Sequence, residues 1–328
     1  MNTGVVLNID PLLRITALTG GVGGAKLIVG LAALLPAEQL LVVANTGDDF
    51  EHLGLRICPD LDSVMYALGG VADQQRGWGR ADESWQCMAS LSEFGAEDWF
   101  SLGDRDLATH LIRTQALKAG MSLTALTQQL LAKLNVAHAV VPMSEAPVKT
   151  MLETERGELG FQHYFVRERC EPVVKRVHIE GIKDAEPAPA IEQFHRLPGR
   201  HATVICPSNP YLSVDPILQV PGLHASLAGA PIIAVSPIIG GSAVKGPAAK
   251  LMRELGADVS SVGIAQHYQG VINALVIDHQ DAGQANAIAA LGIEPVICAT
   301  LMRSNEDKEQ LAMTVIDTAE RLLDARQY

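Results

Sequence analysis

Four aspartates beside glycine-rich turns are the residues best suited to chemistry in the first third of the chain. They belong to Asn45-Thr46-Gly47-Asp48-Asp49 and Cys58-Pro59-Asp60-Leu61-Asp62, and the stretch Gly20-Gly21-Val22-Gly23-Gly24 precedes both. Small residues let backbone N–H groups approach a phosphate closely. Clustered carboxylates repel a phosphate unless a cation lies between them. Together these features indicate a magnesium-dependent enzyme that acts on a phosphorylated or nucleotide-linked substrate.

The glycine stretch alone leaves several interpretations open. It lacks the third glycine of a GxGxxG fingerprint and the GK[ST] ending of a P-loop. It could be a strand-to-helix turn that binds nothing, or a dinucleotide site in which Asp48 or Asp49 grips a ribose. It could also bind phosphate, and the contacts would then be Gly20, Gly21, Gly23, Gly24 and Lys26.

Helix capping explains some of the aspartates but not all. Asp60 and Asp62 fall in the first turn of a predicted helix, where exposed N–H groups favour acids. Asp48 and Asp49 instead follow a predicted strand. Carboxylates from separate loops at one sheet edge suit a hard cation, so the pattern favours a metal-binding or catalytic use of Asp48 or Asp62.

Three later motifs carry further candidates. Gly103-Asp104-Arg105-Asp106 precedes a helix that contains Arg113. Either this is a capped helix with a surface ion pair, or Arg105 or Arg113 contacts phosphate while Asp104 or Asp106 orients a partner. Ser208-Asn209-Pro210 and Ser236-Pro237 follow predicted strands and could hold phosphate and a base edge, although ordinary turn chemistry would give the same residues.

Composition limits the classes of protein that fit. The net charge of −12 argues against general affinity for nucleic acid, which needs a basic surface. No apolar run approaches the ~20 residues of a membrane span, and the N-terminus lacks the pattern of a signal peptide. The five cysteines are scattered without CxxC spacing, which fits reduced thiols in the cytoplasm. We therefore expect a cytoplasmic enzyme.

The predicted elements form an α/β pattern. A strand at 14–18, a helix at 25–35 and a strand at 39–44 predict a Rossmann-like, doubly wound and mostly parallel sheet. We expect an extension at 1–13 and one domain at 14–328, with an inserted helical and β-decorated region at about 70–200. Because ligands bind outside the carboxyl ends of such strands, the glycine stretch and Asp48 should lie together. Further elements are predicted as helices at 60–68, 82–94, 106–117, 123–134, 191–195, 247–255 and 305–325, and strands at 137–142, 148–177, 202–206, 231–235 and 275–278.

Read in order, these segments resemble the CofD/FbiA family, the phospholactate or phosphoenolpyruvate transferases of coenzyme F-420 biosynthesis. The resemblance runs from about Ile15 to the C-terminal helix. Its pieces are Thr19 to Lys26, Asn45 to Asp49, Cys58 to Asp62, Arg76-Gly77-Trp78-Gly79, Leu102 to His110, Pro207 to Pro210, and Ser236 to Gly240.

The resemblance implies transfer of a phosphorylated three-carbon acid from a guanosine-diphospho-linked donor to the deazaflavin Fo, with release of GMP. The segments around Arg76 and Trp85 look like the bacterial branch, which implies a phosphoenolpyruvate donor; a 2-phospho-L-lactate or 3-phosphoglycerate donor stays open. A nicotinamide-dependent oxidoreductase and a guanine-nucleotide sensor are more distant alternatives. We expect a homodimer.

The resemblance also implies roles for the candidate residues. Asp48 and Asp62 would hold Mg²⁺ or Mn²⁺, and Asp49 or Asp60 would accept the hydroxyl proton. Fo would be bound by Asp62, Asp104 and Arg105, and Arg105 would also neutralise phosphate charge. The glycine stretch and Lys26 would cradle the diphosphate. The guanosine would be held by Ser208, Asn209, Ser236 and Gly240.

Overall fold

A computed structural model describes residues 9–227, 229–243 and 246–326. The first eight residues of the expected extension, 1–13, lie outside this description. The strands are β1 Leu13–Thr19, β2 Leu40–Ala44, β3 Phe50–His52, β4 Leu55–Ile57, β5 Ala139–Pro142, β6 Lys149–Thr154, β7 Gly157–Gly160, β8 Val174–Glu180, β9 Arg200–Ile205, β10 Ile232–Val235, β11 Ile238–Ile239, β12 Ser242–Ala243, β13 Ala274–Asp278 and β14 Glu294–Cys298.

Twelve α-helices accompany these strands in the described ranges, and none of them is both long and apolar enough to cross a membrane. They are α1 Gly21–Leu34, α2 Pro59–Leu68, α3 Gln86–Glu93, α4 Asp104–Lys118, α5 Leu123–Lys133, α6 Pro189–His195, α7 Asp215–Leu218, α8 Leu223–Leu227, α9 Ala248–Glu254, α10 Ser261–His267, α11 Ala285–Ala290 and α12 Asn305–Ala325.

Seven parallel strands form the main sheet in the order β14-β13-β10-β9-β1-β2-β5. The chain starts in the middle at β1 and moves outward through β2 to β5, and later returns to build the other half from β9. Strand order therefore reverses between β1 and β9, and the crevice at such a point is where doubly wound folds bind ligands. The predicted fold class is confirmed.

Both faces of the sheet are covered, which explains its continuous apolar strands. All five residues of β2 are buried. Because successive side chains point to opposite faces, Val42 packs with Leu27 and Leu311 on one face, whereas Val43 packs with Ile191 on the other. Two hydrophobic layers, one on each face, thus fix the positions of the strand ends that carry the polar turns.

The glycine stretch is the first turn of α1 and not a loop before it. We predicted a helix from Ala25, but α1 begins at Gly21. Gly20 is still extended, and Gly21 has a φ of +66°, in the left-handed region that favours glycine. The chain thereby turns from β1 into α1 with only Gly20 between them.

The middle of the chain adds a separate antiparallel sheet in the order β7-β6-β8. It contains the predicted strands at 148–177, which leave the main sheet as expected. Between 70 and 200 the chain also supplies β5 to the main sheet, directly beside β2. The small sheet packs on the candidate site, because the backbone N–H of Thr150 donates to the carbonyl of Gly47 at 2.7 Å.

Some elements differ from the prediction. The helix expected at 82–94 is shorter, because α3 starts at Gln86. The edge strand β14 was not predicted, and its sequence, which includes Glu294 and Pro295, carries a weaker apolar signal than the central strands do. The two-stranded β3–β4 and β11–β12 hairpins were also missed, since strands of two or three residues leave no periodicity to detect.

Candidate active site

The candidate site lies where the sheet order reverses, and Ser208 joins its two halves. The Ser208 hydroxyl accepts from the N–H of Gly20 at 3.2 Å and donates to the carbonyl of Gly20 at 2.8 Å. Gly20 directly follows β1, and Ser208 lies just beyond the end of β9. Ser208 thereby satisfies buried backbone groups at the turn where we predicted a phosphate contact; that role of Ser208 stays a prediction.

Three positions of the glycine stretch leave no room for a side chain, because other parts of the protein pack directly against them. A Cβ at Gly20 would lie 2.5 Å from Cβ of Ser213, and a Cβ at Gly23 would lie 2.6 Å from the carbonyl of Pro207. A Cβ at Gly24 would overlap the hydroxyl of Thr19. These close approaches account for three glycines without a ligand, so their contact with phosphate stays a prediction.

The beginning of α1 already faces a carboxylate. The N–H of Gly21 donates to Oδ1 of Asp60 at 2.5 Å, which stabilises both the helix dipole and the charge. Farther along α1, Nζ of Lys26 donates to the carbonyl of Met302 at 3.0 Å. Any phosphate bound at the start of α1 would therefore meet the charge of Asp60 as well as the N–H groups.

Asp48 and Asp60 are neighbouring buried carboxyls. The side-chain amide of Asn45 donates to Oδ2 of Asp60 at 2.9 Å and to the carbonyl of Leu212 at 3.2 Å. Burial raises the pKa of Asp60 to about 6. Burial also raises the pKa of Asp48 well above its ordinary value, and repulsion from Asp60 adds to the effect. A cation placed between them would favour their charged forms.

Asp49 points toward a second group of charges. Its Oδ2 lies 3.1 Å from Nη2 of Arg56, yet burial outweighs this ion pair and raises the pKa of Asp49 to about 7. Oδ1 of Asp48 and Oδ1 of Asp49 are both buried, and neither has a hydrogen-bond partner in the described part of the chain. Buried oxygens without partners are rare in proteins, and these fit a hard cation that takes oxygen ligands.

Asp62 is bound by the fully buried side chain of Arg113. Nη1 of Arg113 donates to Oδ2 of Asp62 at 3.0 Å, and Nη2 donates to Oδ1. Arg113 is only 1% exposed, so its interpretation as a phosphate contact is not favoured. Each Asp62 oxygen keeps one lone-pair site after these bonds, and the metal role of Asp62 stays a prediction.

A buried hydrogen-bond network extends from this ion pair. Arginine can only donate, so Nδ1 of His110, which lies 3.1 Å from Nη1 of Arg113, must accept. The ring proton is then on Nε2, which lies 3.3 Å from Oδ1 of Asp106. The hydroxyl of Tyr66 donates to the same oxygen at 2.6 Å. The ligand atoms of Asp62, Asp106 and His110 are close enough together to bind a metal, but the guanidinium of Arg113 already supplies a positive charge there.

The Gly103–Asp106 motif caps helices. Asp104 accepts from the hydroxyl of Ser84 at 2.5 Å and from the backbone N–H groups of Gln86 and Cys87, which begin α3. These hydrogen bonds, that of Ser84 foremost, lower the pKa of Asp104. Glu83 caps α4 in the same way, because its carboxylate accepts from the N–H groups of Arg105 and Asp106 at 2.6 and 2.8 Å.

Arg105 itself is half exposed, and its side chain is 3.8 Å from Asp82. This exposure leaves it accessible to a ligand. Glu83 was missed by sequence reasoning, and no local signal identifies it, because it caps a helix whose N–H groups lie 22 and 23 positions further along the chain. Asp104 has the capping role that the sequence left open, and its contact with Fo stays a prediction.

The predicted nucleotide contacts after β9 and β10 have partners within the protein. Oδ1 of Asn209 accepts from the N–H groups of Tyr211 and Leu212, while its Nδ2 is buried without a partner among the described residues. Ser236 bonds Ile238 and the hydroxyl of Ser261. The N–H of Gly240 donates to Asp281 at 3.1 Å. Of the residues named in this paragraph, Asn209 alone keeps a buried donor that has no partner within the described ranges.

The fold and this edge together define a doubly wound α/β protein with buried acidic residues where the strand order reverses. A family model described as 2-phospho-L-lactate transferase CofD matches residues 15–318. The chain therefore belongs to the CofD family of transferases. The suspected resemblance is confirmed over nearly the whole chain.

Relatives of both donor types are similar to this chain. A phosphoenolpyruvate transferase of Streptomyces griseus subsp. griseus is 36% identical over 318 residues, covering 94% of this chain and 99% of the relative. One of Kitasatospora aureofaciens is 38% identical, with 94% and 99% covered. A 2-phospho-L-lactate transferase of Methanosarcina mazei is 39% identical over 299 residues, covering 91% and 98%. Overall identity therefore does not separate the two donor types.

A solved structure supports the fold independently. Protein BH3568 of Bacillus halodurans superposes with a TM-score of 0.62 over 93% of this chain and 99% of that one. Its sequence identity is only 16%, so the likeness establishes the shared architecture and nothing about chemistry.

Proposed function

We propose that this protein transfers a phosphorylated three-carbon acid from a guanosine-diphospho-linked donor to the terminal hydroxyl of Fo. The attacking oxygen forms a bond to the phosphorus that carries the acid, the bond to GMP breaks, and GMP leaves as the anion. The product is coenzyme F-420-0 or its dehydro form. We propose phosphoenolpyruvate as the transferred acid, on the strength of the Arg76 and Trp85 segments.

The observation that carries the proposal is a pair of buried oxygens at the sheet edge, one on Asp48 and one on Asp49, that have no hydrogen-bond partner among the described residues. Phosphoryl transfer depends mainly on positioning and on neutralising phosphate charge. The family supplies the reaction class, the free Asp49 oxygen supplies an acceptor for the hydroxyl proton, and the free Asp48 oxygen beside the glycine turn supplies a ligand for a cation. Magnesium or manganese bound there would offset the negative charge that develops on the phosphate.

The chain's own residues then divide the remaining tasks. We assign Asp48, through its free oxygen, and Asp62, through its remaining lone pairs, to holding the metal. Asp49 is suited to accept the hydroxyl proton, because a pKa of about 7 makes it a stronger base than an ordinary carboxylate. Arg105 is accessible for contact with Fo or phosphate.

The test is a direct product assay. The purified protein is incubated with Mg²⁺, Fo and each guanylated three-carbon donor, and the products are identified by mass spectrometry. We expect a deazaflavin phosphodiester and GMP in equal amounts, both abolished by EDTA. Absence of a phosphodiester with every donor would overturn the transferase proposal.

Donor preference is measured in the same assay as kcat/KM for the enolpyruvyl, lactyl and glyceryl donors. The enolpyruvyl donor is expected to be preferred, and shape alone can provide only ~1–3 kcal/mol of discrimination. A tenfold advantage for either other donor would contradict the donor assignment and leave the transferase proposal intact.

A further inference from the structure

A cavity of about 410 Å³ lies at the edge of the main sheet opposite the candidate active site. Its walls are the first residues of β9, Arg200 to Thr203, the loop that contains Gly229 and Ala230, and the C-terminal ends of α6, α8 and α12. Sites for small molecules typically have volumes of about 300–1,000 Å³. β9 runs from this cavity toward Ser208, and its six residues span about 17 Å. A small ligand in the cavity therefore does not reach the candidate active site.

The lining of this cavity is basic. It includes Arg200, Arg326, His195 and His201, and none of the described residues that form it is acidic. The chain as a whole has a net charge of −12, so the lining differs in sign from the protein around it. An anion is attracted to such a lining, whereas a cation is repelled by its two guanidinium groups.

Arg326 contributes a positive charge that no carboxylate offsets within the described ranges. Its Nη1 donates to the carbonyl of Gly229 at 2.7 Å, and its Nη2 donates to Oδ1 of Asn273 at 3.3 Å. Basic residues are favoured at helix C-termini, which accounts for the placement of Arg326 at the end of α12. A guanidinium has five N–H donors, however, and these two bonds leave three of them for a ligand.

Arg200 and His201 each have a buried nitrogen that finds no partner among the described residues. The two Nη atoms of Arg200 bond Asp10 and Asp324, which leaves Nε as an unused donor. Nε2 of His201 donates to the carbonyl of Leu197 at 2.9 Å, so Nδ1 of the neutral ring is an unused acceptor. Buried polar groups without partners are rare. A ligand that satisfies both atoms must accept from Arg200 and donate to His201.

Hydrogen phosphate has this combination of groups, because it carries acceptor oxygens and a hydroxyl on one phosphorus. Sulfate has no hydrogen and cannot donate. We propose that the cavity is a second ligand site, which binds inorganic phosphate through Arg326, Arg200 and His201. Phosphate bound there does not compete with the substrates of the candidate active site, and the proposal does not depend on the transferase assignment.

The test is calorimetric titration of the wild-type protein with sodium phosphate at pH 7.5. EDTA is present, so that no metal bridges phosphate to the aspartates. Sulfate and glycerol 3-phosphate are titrated at the same ionic strength. A phosphate monoester is mostly a dianion without a hydroxyl at this pH, because its second pKa is about 6. We expect one phosphate to bind per chain, at least threefold more tightly than either of the other two anions.

Two variants assign the binding to this cavity. Arg326→Met removes the charge that no carboxylate offsets and should weaken phosphate binding at least tenfold; because Arg326 is exposed at a helix end, this variant should fold. His201→Leu removes the acceptor, and phosphate should then bind no more tightly than sulfate.

Two controls separate a local effect from a change in net charge. Arg321→Met removes the same charge from α12 away from the cavity, where Arg321 pairs with Glu294. Asp317→Asn removes an exposed acid from the same helix. Both should bind phosphate as the wild type does. If Arg326→Met also binds phosphate like the wild type, or if the wild type binds no phosphate or binds sulfate or the monoester equally well, the inference is wrong.

Discussion

Arg113 neutralises Asp62 through two parallel hydrogen bonds, and both side chains are buried. The acidic cluster therefore has two different halves. In one half, the charge of Asp62 is already neutralised by the guanidinium of Arg113. The other half, at Asp48 and Asp49, has buried oxygens that find no partner in the part of the chain that the structure describes. This difference predicts that neutralising individual aspartates will have different effects on stability.

Breaking the Asp62–Arg113 pair should destabilise the fold. Arg113→Gln leaves a buried carboxylate without its ion pair, which typically costs about 3–5 kcal/mol. The double variant Asp62→Asn/Arg113→Gln should lose less than the sum of the two single changes, because neither charge is then left alone. Urea denaturation of the four proteins measures this coupling. Additive losses would mean that the pair contributes nothing as a pair.

Asp48→Asn should abolish most activity and leave the protein folded. The substitution removes a proposed metal ligand and, with it, the neutralisation of phosphate charge. Without metal at neutral pH the variant should be at least as stable as the wild type, because burial and Asp60 disfavour the charge of Asp48. Activity and thermal melting are compared with those of Asp317→Asn. Turnover within threefold of the wild type at saturating magnesium would contradict the assignment.

The metal-free protein should lose stability as pH rises from about 4 to 7. The pKa of Asp49 is about 7 in the folded protein and near 3.8 when unfolded, so the folded state binds more protons across this window. Stability therefore falls with rising pH, by on the order of 2–4 kcal/mol for this group. Denaturation in EDTA at pH 5 and pH 8 should show a smaller fall for Asp49→Asn than for the wild type. Equal falls would show that Asp49 is not the group responsible.

Gly24→Ala should be strongly destabilising although alanine favours helices. The added methyl group overlaps the hydroxyl of Thr19 and lies 2.6 Å from that of Ser208, so the end of β1 must shift. Overpacking of this kind costs typically about 1–3 kcal/mol. Gly283→Ala is the matched control, since a Cβ there meets nothing within 4 Å. Similar melting temperatures for the two variants would contradict the packing argument.

The sequence predicted the fold well because its signals are local. The buried parallel strands β1, β2, β9, β10 and β13 are short apolar runs followed by polar turns, and such runs remain visible without any tertiary information. The start of α1 was placed late because helix propensity cannot show that Gly21 turns the chain at positive φ. The edge strand β14 was missed because none of its five residues is fully buried and its sequence mixes polar and apolar residues.

The candidate site was predicted in its residues but not in their pairing. The aspartates stood out by type and spacing, yet nothing local indicates that Arg113 would bind Asp62 across 51 positions of the chain. Likewise, Asp104, at the start of α4, caps α3, and Glu83, just before α3, caps α4. This reciprocal capping depends on how the two helices pack together. Sequence spacing finds the groups, and tertiary packing decides which of them retain capacity for a ligand.

The Ser208–Gly20 contact also determines when the site can form during synthesis. Its partners are 188 positions apart, and the turn that packs on Gly20 ends at Val214. A nascent chain that has emerged from the ribosome only as far as β5 contains all four aspartates. It lacks β9, the strand that pairs with β1 on the side opposite β2. Such a fragment also lacks the Pro210–Val214 turn, whose Leu212 carbonyl and Ser213 side chain pack against Asn45 and Gly20 in the folded protein. The buried acidic site is therefore completed late, after more than half of the polypeptide has emerged.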